Sequence, residues 1–291
     1  MDHLYVGISP VLAARFSAEL AASFPISRFL IGIWCVVSTL EWIANLSLFK
    51  QDGLLAWDIL SLRSGFVFSS GVLAIFSHEQ LAAWILGLRL AAGVAVMITA
   101  SPSILSCVFL LLIATYWLLA ERTWLGADGS DQMGQIVCIG ALLISTGLTF
   151  HKLDVSFAGT LLIGGQLTIS YFVSGFSKLL SPAWRRGIAI VGVMGTHSYG
   201  HGVAAKISSR NARLARLFCW LVIGGETLFL AAVAAPQGIL VIVLACFLVL
   251  HFCNAYFMGL NAFVWSFAAT YPSVLLLNHL LGLGLAILGG Y

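Results

Sequence analysis

Residues 169–190 read ISYFVSGFSKLLSPAWRRGIAI. An apolar run of the length that crosses a bilayer, about 20 residues, ends here in Lys178. Ser181-Pro182 stops a helix, because proline disfavours helical backbone in the residue before it. The Trp184-Arg185-Arg186 cluster then supplies an aromatic ring and two cations, the residues that anchor a span at the headgroups. The stretch reads as a transmembrane helix and its exit. Lys178 has two readings at this point: a side chain snorkelling to the surface, or a base held in a low-dielectric cavity.

Working outward, the whole chain has this character. Of 291 residues, 60% are hydrophobic and 9% charged, where a soluble domain carries about 25% charged residues. The mean hydropathy is +1.03. These values predict an all-α, polytopic helical bundle of about eight transmembrane helices. The spans are expected near 26–48, 80–100, 103–120, 132–150, 157–180, 214–235, 238–259 and 263–288. They use almost all of the residues, so no soluble catalytic domain fits among them. Leu12, Phe16, Leu20 and Phe24 recur at helical spacing and predict an amphipathic N-terminal segment, 1–25, ahead of a transmembrane domain, 26–288. The first residues lack the order of a cleavable signal peptide. The run 66–77 is too short to cross and is expected to be interfacial or re-entrant.

Cys35, Cys107, Cys138, Cys219, Cys246 and Cys253 all lie in apolar runs, and packing rather than disulfide bonding is expected of them. A net charge of +3 gives no sign of a nucleic-acid partner. The long connections 49–79 and 181–213 would share one side with 121–131, and that side carries most of the Lys and Arg. By the positive-inside rule it is cytoplasmic.

Ionisable groups inside spans are costly and point to function. Glu41 lies in the first span, Arg89 in the second and Glu226 in the sixth. Tyr171, Ser174, Gly175 and Lys178 share one face of the fifth. His251, Asn254, Met258 and Asn261 follow a helical spacing in the seventh and beyond it. Each has a plain alternative. Arg89 could be the ion-pair partner of Glu41 or Glu226, His251 a satisfied core histidine, and Asp131 a helix N-cap or first-turn acid. Taken together they supply a base, acids and amides for one buried polar cavity. His197 and His201 in HSYGH have a metal-compatible spacing, but flanking glycines weaken the helix and no third ligand is evident, so no metal site is expected.

YFVSGFSKLLSPAW followed by RRG, residues 171–187, resembles the lysine-bearing segment of the vitamin K-dependent γ-glutamyl carboxylase superfamily, which includes the horizontally transferred transmembrane (HTTM) proteins. SRFLIGIW (27–34), AERTWLGADGSDQM (120–133) and LHFCNAYFMGLNAFVWSFAATYP (250–272) resemble other stretches of that family in the same order. The resemblance implies Lys178 as a catalytic base and His251 as an acid or orienting group, with Asp131 and Glu226 lining the cavity. It implies a reduced, vitamin K-like quinone as cofactor, whose anion reacts with O2 and leads to carboxylation. Ser177 stands where the carboxylases have a second lysine. The implied orientation puts 181–213 outside the cell, against the charge count; binding of 185–216 to anionic headgroups reconciles the two, and the outside orientation is the one expected.

Short relatives in the sporulation-delaying-protein group mature or export a secreted peptide toxin. The resemblance therefore implies a bacterial plasma-membrane location, contact with membrane lipid, and as partners a small secreted precursor peptide and a further maturation protein. Three functions stay open on the sequence: an enzyme, a non-catalytic partner in peptide maturation or export, and a quinone- or lipid-binding protein without turnover.

Overall fold

A computed structural model describes residues 10–62, 79–123 and 128–288. Every regular element among them is helical. In chain order these are α1 (Pro10–Ala44), a 3-10 turn (Leu46–Phe49), α2 (Trp57–Leu60), α3 (Glu79–Ile98), α4 (Pro102–Arg122), α5 (Gly129–Thr149) and α6 (Leu153–Leu180). There follow α7 (Pro182–Arg185), α8 (Ile188–Met194), α9 (Gly202–Arg210), α10 (Ala212–Ala234), α11 (Gln237–Met258), α12 (Asn261–Ala268) and α13 (Tyr271–Leu288). Seven of the described helices are long and apolar enough to cross a membrane: α1, α3, α4, α5, α6, α10 and α11. The protein is an all-α polytopic membrane protein.

Two expectations change. No break separates an N-terminal segment from the first span, since α1 runs continuously through Pro25. A proline costs one backbone hydrogen bond, and apolar surroundings hold a helix together across such a site. The eighth expected span, 263–288, is instead α12 and α13, separated by a turn at Ala269-Thr270. Thr270 offers its carbonyl to the Val274 N–H at 3.1 Å, so a new helix starts here. Pro272 sits in its first turn, where a missing N–H costs nothing. The run 66–77 lies outside the described residues.

The chain divides into two compact units. One comprises Arg28–Gly159 and Trp265–Ala269. Its helices approach closely over small residues, as membrane helices do when van der Waals packing is the main attraction. A Cβ on Gly134 of α5 would lie 2.1 Å from the Trp34 ring, and one on Gly159 of α6 would lie 2.4 Å from the Gly140 carbonyl. Two cations, Arg28 and Arg122, close this unit through backbone carbonyls. The Arg28 Nη1 donates to the carbonyls of Val96 and Thr99, at 2.7 and 2.5 Å, which satisfies the end of α3. Arg122 is buried, donates to the Leu55 carbonyl and lies 5.2 Å over the Phe49 ring.

The other unit comprises Met1–Ser27, Thr160–Val264 and Thr270–Tyr291. Leu240, Leu244, Phe247 and His251 form the buried face of α11, while Ile242, Val249 and Phe252 on its other side are exposed. A helix apolar all round but buried on one face has lipid for its other neighbour. The buried face of α10, with Cys219, Ile223, Glu226 and Phe229, meets α11 where Phe229 and Phe247 pack edge to face at 5.5 Å. From α13, Asn278 donates at 2.8 Å to each of the Val233 and Ala235 carbonyls, closing the end of α10. All six cysteines are free; Cys35, Cys138 and Cys219 are buried, and Cys107, Cys246 and Cys253 exposed.

Candidate functional site

The sequence face Tyr171, Ser174, Gly175 and Lys178 is a physical face of α6, turned toward α10 and α11. At Gly175 the backbones of α6 and α10 nearly touch. A Cβ there would lie 2.4 Å from the Thr227 nitrogen and 2.7 Å from Glu226 backbone. Only hydrogen in place of a side chain permits that approach, and it brings one turn of α6 against Glu226.

Lys178 lies one turn beyond Gly175 and uses the closeness. Its Nζ donates to Glu226 Oε2 at 2.6 Å and also to the Ser174 hydroxyl. The side chains keep only 18% and 10% of their free exposure. On the outer side the ammonium lies 5.2 Å from the centre of the Trp184 ring, in cation–π range. Trp184 is held back over Lys178 because α6 ends at Leu180 and the next turn, α7, starts at Pro182. Gly187 then adopts φ +80, a left-handed conformation natural to glycine, and lies so close to α10 that a Cβ would meet Arg216 backbone at 2.6 Å.

Seven residues earlier on α6, about 10 Å along the axis, lies a second polar pair. The Tyr171 hydroxyl and His251 Nε2 share a hydrogen bond of 2.8 Å, with both side chains buried. Aromatic rings enclose them: Phe247 stacks on Tyr171 at 4.1 Å, Phe229 meets it edge-on at 4.7 Å, and Phe263 stacks on His251 at 6.4 Å. Residues 171 and 251 come from segments eighty residues apart, joined across α6 and α11.

Asn254, one turn on from His251, is half-buried. The helical register that would bring Asn261 to the same face does not continue. Gly259 takes φ +73 and ends α11 at Met258, with its N–H on the Ala255 carbonyl. Glycine at this position is the usual helix stop. Asn261 therefore begins α12 and is exposed.

Glu41, Arg89 and Asp131 belong to the unit built on Arg28–Gly159. Arg89 is 2% exposed, lies 5.0 Å from the centre of the Trp34 ring and reaches the Ser38 hydroxyl at 3.4 Å. With Asp131, Tyr116, Thr123 and Trp42 it lines a cavity of about 20 Å³, room for about one water molecule. The N-cap of α5 is Asp128, whose Oδ1 accepts from the Ser130 and Asp131 N–H groups at 2.8 and 3.1 Å. Asp131 is thus the first-turn acid, and it lines the cavity. Glu41 is half-buried on α1. The ion-pair partner of Glu226 is Lys178, not Arg89.

Sequence reading missed Ser174 as a ligand of Lys178, Trp184 as its aromatic cover and Phe247 as the ring on Tyr171. Ser174 shares the helical face of Lys178 and Trp184 follows six residues after it, so both had a signal; Phe247 had none beyond its place four residues before His251. His201 has a structural use, its Nδ1 accepting from the Ala204 N–H at 3.5 Å to cap α9.

Chemically, Lys178–Glu226 is a short donor–acceptor pair inside an apolar bundle. A proton passed along the bond converts the ion pair into a neutral amine and a carboxylic acid. The amine is the form in which lysine accepts a proton from a substrate. Compared with known proteins, the chain matches no family model, no curated protein and no solved structure.

Proposed function

We propose that the protein is a membrane-embedded enzyme of carboxylase-like, HTTM type that modifies or matures a secreted peptide, with Lys178 as its intramembrane base. The observation that carries this reading is the inward engagement of Lys178. Its amine is held by Glu226 at 2.6 Å and by Ser174, rather than extended to the surface. A lysine needed only as an anchor gains nothing from a buried carboxylate, and Arg185 and Arg186 are already exposed at the helix exit.

In this reading Glu226 takes the lysine proton and keeps the pair neutral overall. Ser174 orients Nζ, and Tyr171–His251 forms a second proton-carrying pair further along the same helix. The donor set suits a reduced quinone: Lys178 would accept its phenolic proton, and the Trp184 ring, 5.2 Å from the ammonium, would offer an aromatic face beside it. The quinone would supply an acidic O–H and reducing electrons. The pair keeps only 18% and 10% of its exposure, which limits water at the base and would protect a reactive species formed there.

One observation favours a second reading, a non-catalytic partner in peptide maturation or export. The backbone contact at Gly175 makes Lys178–Glu226 also a clamp between α6 and α10. Lys178→Arg separates the two. Arginine keeps the ion pair but stays protonated at any working pH. With the protein co-expressed with a candidate precursor peptide, the secreted product is compared by mass spectrometry. A base predicts normal levels of folded variant and loss of the product; a clamp predicts unchanged product, and that result removes the catalytic reading.

A further inference from the structure

We infer that residues 181–216 form an interfacial platform that binds the headgroups of anionic phospholipids. The inference is independent of the role of Lys178. The segment joins two candidate spans, α6 ending at Leu180 and α10 starting at Ala212, so its ends are fixed at a membrane boundary. It does not project as a loop but folds back as α7, α8 and α9. Gly187 lies against the Arg216 backbone, and His201 packs edge-on against Phe257 near the end of α11 at 5.3 Å.

The charge on this platform has one sign. From residue 155 to residue 225 the sequence contains no Asp or Glu. Arg185, Arg186, Lys206, Arg210, Arg213 and Arg216 are all exposed. Arg213 and Arg216 lie in the first turns of α10, where the helix dipole is positive too, and no acidic residue stands in its first turn. A set of like charges at this density attracts counter-charge to this face.

The apolar side chains select the source of that counter-charge. On α9, Val203 and Ile207 are 61% and 51% exposed. They share one face with Lys206 and Arg210, two residues each of apolar and basic character within two turns. A soluble acidic peptide satisfies the cations and leaves Val203 and Ile207 in water. A phospholipid interface satisfies both, with phosphate on the cations and the acyl boundary under the apolar pair.

The test uses the full chain reconstituted in vesicles of phosphatidylcholine and phosphatidylglycerol, with spin-labelled forms of each lipid as probes. The ratio of their association with the protein is the readout. Phosphatidylglycerol is expected to be favoured by about fivefold at a headgroup site, the factor one cation near an anionic surface supplies, and the preference is expected to weaken as salt screens it. Replacing Lys206, Arg210, Arg213 and Arg216 by Gln should bring the ratio toward one. The pair Lys206→Gln with Arg210→Gln, confined to exposed positions of α9, should lower it part of the way and keeps the test valid if the larger variant misfolds. Lys50→Gln with Lys152→Gln, both at exposed positions, should leave it unchanged. A wild-type ratio of one, or a ratio unmoved by the α9 pair and the larger variant, overturns the inference. So does binding of an acidic peptide to this face in the absence of any phosphatidylglycerol preference.

Discussion

Gly175 is the residue on which the candidate site depends most. Ala at this position places Cβ against backbone of Glu226 and Thr227, which cannot swing aside as a side chain would. Gly175→Ala should push α6 from α10, lengthen the Lys178–Glu226 contact and cost about 1–3 kcal/mol. Gly165 on the same helix has no atom within 4 Å of its virtual Cβ, so Gly165→Ala should be neutral or slightly stabilising through helix propensity. Thermal unfolding in detergent compares the two; equal melting temperatures would show that the close approach does not exist. Asn278 makes a second residue-scale case. It is buried and donates to two carbonyls at the end of α10. Asn278→Ala leaves both carbonyls short of a donor in apolar surroundings, with an expected loss of about 1–2 kcal/mol. Chemical denaturation of purified protein measures it, and an unchanged midpoint would refute the cap.

Among the elements, α1 carries the clearest departure from expectation. Pro25 lies inside a 35-residue helix and is exposed. Its ring removes one N–H donor to the Ala21 carbonyl position and crowds that turn. Pro25→Ala restores the bond without touching the buried faces on either side, so it should stabilise the protein, by up to about 3 kcal/mol. A lower melting temperature for this variant would mean that the proline bend is required by packing. The connector α7–α9 carries the other element-level lesson. Its cations were legible as a charge excess, but the sequence could not assign them between topology and lipid. The fold also removes Arg28 and Arg122 from the surface count, because each satisfies backbone carbonyls.

For the whole molecule, thiol labelling decides which side of the membrane holds α7–α9. The resemblance to the carboxylase superfamily implies the outside, the positive-inside count the cytoplasm. Ser208 is buried and a poor reporter, whereas Ser209 is exposed on α9. Ser209→Cys, with Cys107, Cys246 and Cys253 replaced by Ala, is expected to react with an impermeant thiol reagent in intact cells. Protection until lysis would place the connector in the cytoplasm. Lipid binding at the platform is compatible with either result, since it requires a leaflet and not a side.

By itself the sequence determined the class of the protein and one face of its candidate site. Long apolar runs with few charges can satisfy their backbone in lipid only as helices, so the all-α membrane architecture followed from composition. The spacing of Tyr171, Ser174, Gly175 and Lys178 followed from 3.6 residues per turn. Tertiary structure decided everything that depends on which helices meet. It paired Lys178 with Glu226 and Tyr171 with His251, contacts between segments too far apart for any local pattern to match them. It divided the ionisable groups of the spans between two compact units, with Arg89, Asp131 and Glu41 in one and Lys178, Glu226 and His251 in the other. It also ended the His251 face at Gly259, where a single left-handed residue cancels the helical register on which Asn261 depended. Periodicity fixes which side of a helix a residue occupies; the partner on that side is set by close packing, and here glycine at 175 decides it.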